Sequence, residues 1–145
     1  SSIVVSGGDT AVCGYTVAAR VLPTHAIFAG AVVTAGQRCH STRRVILHES
    51  VADRVQESLV SAYKTVPIGN PLDRKTLMGP LIDSNAVEQV QQSMQKLKDE
   101  GGQILYGGDR LDGAAFPGSC YMKPCLASAR PDFEIVQHET FGPLL

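Results

Sequence analysis

The fold class that this sequence predicts is α/β, with a mostly parallel sheet flanked by helices. Three observations carry that prediction. Short β-branched runs alternate with longer segments whose apolar residues recur every three or four positions. Glycine pairs and a Gly/Pro/Asn/Asp-dense stretch punctuate the boundaries. No repeat, low-complexity run or linker divides the 145 residues, so they read as one domain long enough to bury a core.

Taken in order, Ser2 to Ser6 is a short buried strand that stops at the turn Gly7-Gly8. Thr10 to Thr34 is apolar and small-residue rich. A helix is expected in its second half, with Pro23 near the first turn, where its missing N–H does no harm. Arg44 to His48 reads as a strand. Ser50-Val51-Ala52-Asp53 resembles a capping box, and Val51, Val55, Leu59, Ala62 and Val66 then form one apolar helix face ended by Pro67. The stretch IGNPLDRKTLMGP is a loop. A second helix is expected from Asp83 or Ser84, with Val87, Val90, Met94 and Leu97 on one face and Gly101-Gly102 as its stop. Gln103 to Tyr106 is a strand, Gly107 to Gly118 a loop, and Tyr121 to Ala127 a further strand.

Composition narrows the partners. Thirteen basic and 14 acidic residues give a formal net charge of -1, which suggests neither nucleic acid nor an anionic membrane surface. The apolar run Ala26 to Ala35 is too short to span a bilayer. The opening SSIVVSGGDT lacks the features of a signal peptide. The four cysteines, at 13, 39, 120 and 125, are therefore expected as reduced thiols in a cytoplasmic protein.

The stretch TAGQRCHSTRR, residues 34–44, carries the strongest chemical signal. Free cysteine is often simply buried. Arg38, His40, Arg43 and Arg44 would instead favour a reactive thiolate at Cys39, and Gly36 would let backbone approach a ligand or a strand. Taken alone, these residues leave both readings open. Metal binding is disfavoured, because adjacent Cys39 and His40 rarely converge on one ion, and Cys120 and Cys125 lack zinc-knuckle spacing. His25 and His48 read as structural, and Gly7-Gly8 and Gly107-Gly108 as plain turns without a phosphate-loop continuation. In the C-terminal HETFGPLL, Glu139 and Phe141 stand two apart, so on an extended segment they share a face and could meet one ligand.

Together, these stretches resemble the aldehyde dehydrogenases. TAGQRC is similar to that family's G-Q-x-C nucleophile motif and ETFGP to its E-x-F-G-P motif, with VPIGNPLDRKTLMGPLID and EGGQILYGG between them also similar. The RCHSTRR context, with Thr34 where many members carry Asn, resembles the antiquitin branch, whose members oxidise α-aminoadipic semialdehyde. Family chains are several times longer. The resemblance therefore implies that residues 1–145 are part of the catalytic domain, with the Rossmann NAD domain absent and the full-length protein a homo-oligomer, dimer or tetramer.

Residue by residue, the resemblance implies the following roles. Cys39 is the nucleophile that attacks a small-molecule aldehyde, and its backbone N–H is half of the oxyanion hole. Glu139 holds the nicotinamide ribose of NAD or NADP, and Phe141 packs near the nicotinamide. Gly7 and Gly8 match the glycine pair of the family's E-L-G-G motif. The general-base glutamate of that motif corresponds to Val5, which cannot accept a proton, so thioester hydrolysis lacks its usual base. Two readings follow: an NAD(P)+-dependent aldehyde dehydrogenase, or a non-catalytic, scaffold-like relative.

Overall fold

The computed structural model describes residues 24–47 and 49–145. Helix α1 runs over Thr24–Val32, and a tight turn over Val33–Gly36 ends it. Helix α2 is Glu49–Lys64 and helix α3 is Ser84–Asp99. Four short strands follow: β1 Gln103–Tyr106, β2 Arg110–Leu111, β3 Tyr121–Met122 and β4 Leu126–Ser128. Helix α4, Glu134–Gln137, precedes the C-terminal segment. The expected strand at Ser2 to Ser6, the turn at Gly7-Gly8, Pro23 and His48 lie outside the described residues.

The two long helices follow from their apolar period. In α2 the buried residues are Ala52, Val55, Leu59 and Tyr63. In α3 they are Ala86, Val87, Val90, Met94 and Leu97. Asp83 caps α3, its carboxylate accepting the Ala86 N–H at 2.8 Å. Helix α2 stops at Lys64, short of Pro67. Proline disfavours helical backbone at the residue before it, and the Thr65 and Val66 N–H groups turn back to the carbonyls of Ala62 and Tyr63. These faces meet α1, β1 and β4 in one apolar core. Tyr63 lies at its centre, with edge-to-face rings from Phe28 at 5.7 Å and Tyr106 at 6.4 Å. A smaller cluster of Leu97, Ala127 and Ile135 joins α3 to β4 and α4.

The α/β class stands, but the strand pairing differs from the expected parallel sheet. Among the described residues, β1 pairs antiparallel with β4 and β2 antiparallel with β3. The reason lies in the connection: no helix separates β1 from β4, and parallel neighbours require a crossover. The expected strand 121–127 is divided into β3 and β4 at Lys123-Pro124, where proline can donate no ladder bond. Parallel pairing appears at isolated bridges, Ile68 with Met78 and Cys125 with Leu144. The second is extended by the Cys125 N–H to Pro143 and the Ala127 N–H to Leu145, which lay the chain end along β4. Residues 43–47 keep a strand's alternation: Arg43, Val45 and Leu47 are buried, while Ile46 is 67% exposed. No ladder partner for this stretch occurs among the described residues.

Candidate active site

Left-handed backbone builds the turn that presents Cys39. Thr34, Ala35 and Gly36 have φ of 62°, 53° and 65°, three consecutive residues in the region that favours glycine. The turn reverses the chain after α1 and sends Gln37 to His40 outward. Gly36 has a second constraint: a Cβ there would strike the Gly142 carbonyl. Gly142 in turn faces the side chain of Val90, leaving no room for its own Cβ. The glycines of the two motifs thus allow residues 36 and 142 to stack against each other and against α3.

Polar side chains finish the turn. Gln37 Oε1 accepts the Ile82 N–H at 2.9 Å, tying the turn to the loop before α3. Ser41, buried, accepts the Arg38 N–H at 3.1 Å, and its own N–H donates to the Arg38 carbonyl. Cys39 itself is exposed, with Sγ 3.9 Å from His40 Nδ1. Its backbone N–H has no partner among the described residues, so it can donate to an incoming oxygen.

Arg43 is the centre of the arrangement, although in the sequence it stands out only as one charge among several near the thiol. Its side chain is 5% exposed. Nε donates to Glu139 Oε1 at 3.0 Å. One terminal nitrogen donates to the carbonyls of Gly36 at 3.0 Å and Thr140 at 2.7 Å. The other donates to the Arg38 carbonyl at 2.7 Å. Its Cζ lies 5.0 Å from the centre of the Phe141 ring. Burial pulls the Arg43 pKa below its ordinary value, and the Glu139 carboxylate pushes it back up. Glu139 and Phe141 do share a face, as their spacing predicts, and the group they share within the chain is this guanidinium. No local pattern signals it, because the partners lie 96 and 97 residues away.

Glu139 is half-exposed and uses only Oε1 on Arg43, which leaves Oε2 without a partner among the described residues. A carboxylate oxygen held from one side and open on the other suits a diol. The Phe141 ring, 44% exposed, offers a flat apolar surface beside it. Gly7 and Val5 lie outside the described residues. The other two thiols among the described residues differ from Cys39, and Cys13 lies outside those residues. Cys120 is half-buried and Cys125 buried, with burial pushing the Cys125 thiol up to about 12. An apolar cavity of about 70 Å³ behind Arg43 is lined by Leu97, Ala127, Ile135 and Leu144 but by neither Cys39 nor Glu139, so it is not an aldehyde pocket.

The structure thus joins the exposed Cys39 turn to Glu139 and Phe141 through one arginine. Residues 8–145 match the aldehyde dehydrogenase family, and the chain belongs to it. The chain is 42% identical over 147 residues to an α-aminoadipic semialdehyde dehydrogenase of Rattus norvegicus, covering 99% of this chain and 26% of that one. It is 39% identical over 124 residues to an aldehyde dehydrogenase family 7 member of Arabidopsis thaliana, covering 86% of this chain and 24% of that one. Among solved structures it is similar to a betaine aldehyde dehydrogenase of Staphylococcus aureus in complex with NAD+. That likeness has a TM-score of 0.80 and 28% identity, over 84% of this chain and 24% of that one. The chain thus spans about a quarter of the length of the relatives it matches. The family match begins after Val5 and Gly7. No helix among the described residues is long and apolar enough to cross a membrane.

Proposed function

We propose that residues 1–145 form the nucleophile-bearing part of an aldehyde dehydrogenase catalytic domain. The full-length protein oxidises an aldehyde to a carboxylate with NAD or NADP, most of whose binding surface belongs to a Rossmann domain outside this chain. One observation carries the reading: Arg43 joins the exposed Cys39 turn to Glu139 and Phe141, the residues that the family resemblance assigns to thiol chemistry and to the cofactor ribose. The Cys39 thiolate adds to the aldehyde carbon, and the carbonyl oxygen, now an alkoxide, meets the Cys39 N–H, which has no partner among the described residues. The bound nicotinamide supplies the hydride acceptor. Hydride loss to that acceptor would leave a thioester on Cys39, and water adding to its carbonyl carbon would lose its protons to solvent and release the carboxylate and the Cys39 thiolate. Likeness to the Rattus norvegicus enzyme supports a semialdehyde, such as α-aminoadipic semialdehyde, as substrate class. Exposed Ile46, Leu72 and Ile82 support cover by further chain or by a second copy, as a homo-oligomer would provide.

The test uses the full-length protein with NAD+ and a semialdehyde, followed by nicotinamide absorbance and intact mass. Wild type should form reduced cofactor, at least one equivalent per Cys39, and Cys39→Ala should form none. Limiting iodoacetamide should label Cys39 before Cys120 and Cys125. Turnover that survives Cys39→Ala would end this reading.

Val5 favours a second reading, a non-catalytic relative that keeps the fold. Loss of a general base typically removes about 10²–10⁴-fold in rate. If Cys39 still acylates, the full-length protein releases about one equivalent of reduced cofactor per Cys39 and then slows. Val5→Glu should restore steady turnover. Absence of a burst in both proteins supports the scaffold reading instead.

A further inference from the structure

We infer that Arg43 is a positioning residue that couples the Glu139 carboxylate to the Cys39 turn, so that a nicotinamide nucleotide engaging Glu139 is felt at the nucleophile. The inference rests on the function proposed above and extends it to a residue that the motifs do not assign.

Four of the five guanidinium N–H groups are used, and their acceptors divide between two segments. The Gly36 and Arg38 carbonyls belong to the turn that leads into Cys39. Glu139 Oε1 and the Thr140 carbonyl belong to the C-terminal segment that carries the residue proposed to meet the cofactor. The Gly36 carbonyl has no other donor among the described residues, so Arg43 is what ties the end of the left-handed turn to the C-terminal segment. The guanidinium is planar and rigid. A shift of the Glu139 carboxylate toward a ribose diol therefore moves Nε and the two terminal nitrogens together. Neighbouring Arg44, half-buried, makes no hydrogen bond among the described residues, so the role belongs to one arginine of the pair. Lysine could not replace it: three donors on one nitrogen cannot span acceptors on both segments.

The experiment compares full-length wild type, Arg43→Lys, Glu139→Gln and the double variant. It reads the KM for NAD+ separately from kcat, and the rate of Cys39 alkylation by iodoacetamide with and without NAD+. Arg43→Lys should raise the KM for NAD+ by about tenfold or more, the loss expected for one charge-assisted hydrogen bond. It should also abolish the effect of NAD+ on Cys39 alkylation. Glu139→Gln should do the same, and the double variant should be no worse than the worse single, since the two residues act as one unit. Unchanged KM and NAD+-dependent alkylation in Arg43→Lys, or additive effects in the double variant, would overturn the inference. If Arg43→Lys does not fold, hydrogen exchange of residues 34–44 decides. NAD+ should alter it in wild type and not in Glu139→Gln, and a wild type insensitive to NAD+ would overturn the inference. Failure of the enzymatic reading looks different: wild type binds no NAD+, or Cys39→Ala still turns over, and the coupling falls with it.

Discussion

Helix α3 and the Cys39 turn touch through Val90 and Gly142, yet different physics holds each in place. Helix α3 is held by apolar area. Five side chains on one face enter the core, and an aspartate closes its N-terminus. The Cys39 turn buries little apolar surface and contains three left-handed residues, two of which are not glycine. Left-handed backbone costs about 1–2 kcal/mol for each such residue. What offsets it is polar and concentrated: one guanidinium with four acceptors, Gln37 on Ile82, and Ser41 on Arg38. The scaffold shares its stability among many replaceable contacts, whereas the turn rests on a few specific ones. Damage to the first should lower stability and spare the chemistry, and damage to the second should do the reverse.

The largest separation is expected at Leu59, fully buried in α2 and far in kind from the polar turn. Leu59→Ala should cost about 2–5 kcal/mol through lost transfer energy and the cavity left behind. The kcat per folded molecule should stay near wild type. Hydrogen exchange across 49–64 and activity normalised to active thiol would check both halves. A large fall in kcat at unchanged exchange would mean that scaffold and turn are not separable.

Next in size is the point where the two regions meet. Gly142→Ala would drive a methyl into Val90 Cγ2, with Leu81 Cδ2 at 3.9 Å. Overpacking of this kind costs about 1–3 kcal/mol. The added Val90→Ala change should recover part of it, because the methyl then occupies vacated space. A double-mutant cycle on thermal inactivation measures the coupling. Strict additivity would show that Gly142 is required for its backbone and not for its closeness to α3.

The same division explains what the sequence made legible. Helices α2 and α3 are readable because burial repeats with the helical period; the start of α3 is legible only as Asp83 or Ser84, and the structure makes Asp83 the cap. Strand β1 was readable because Gly101-Gly102 and Gly107-Gly108 bracket it. Strand β2 and helix α4 were missed, since elements of two and four residues display no period. Among the described residues the ladders run antiparallel, since alternation of elements predicts parallel pairing only where a helix lies between the paired strands. At the site, Cys39, Glu139 and Phe141 stand in words of known motifs, and the structure brings them together around Arg43. Arg43 was not, because its importance comes from acceptors in a segment almost a hundred residues away. The same basic residues that suggested a thiolate in the sequence are, in the case of Arg43, aimed at carbonyls and a carboxylate.

A smaller effect should sharpen the scaffold side. Asp83→Ala removes the side-chain acceptor of the Ala86 N–H and should cost about 1 kcal/mol. The loss should appear as faster hydrogen exchange in the first turn of α3. Gln37 meets the neighbouring Ile82 N–H, so a modest change in exchange at 36–40 is also expected. Equal loosening of both segments would place the Cys39 turn under the control of the helix cap.

The smallest effect is expected at Thr34, and its sign is the informative part. Thr34 is exposed, with φ of 62° and ψ of 29°, and its hydroxyl donates to the Val33 carbonyl at 2.6 Å. A β-branched side chain is unfavourable there, because Cβ crowds the carbonyl oxygen. Asparagine, which the family resemblance places at this position in many members, enters the left-handed region more readily through local hydrogen bonds of its amide. Little packing is lost, since the threonine side chain faces outward. Thr34→Asn should therefore stabilise the turn by a few tenths to about 1 kcal/mol. Slower hydrogen exchange at Gln37, whose N–H donates to the Thr34 carbonyl at 3.0 Å, is the measurement. Alkylation of Cys39 should change little, because Arg43 and Ser41 already fix the carbonyl and N–H of Arg38 beside it. A destabilised turn would mean that the hydroxyl bond to Val33 outweighs the backbone strain, and that threonine is suited to this turn through its side chain.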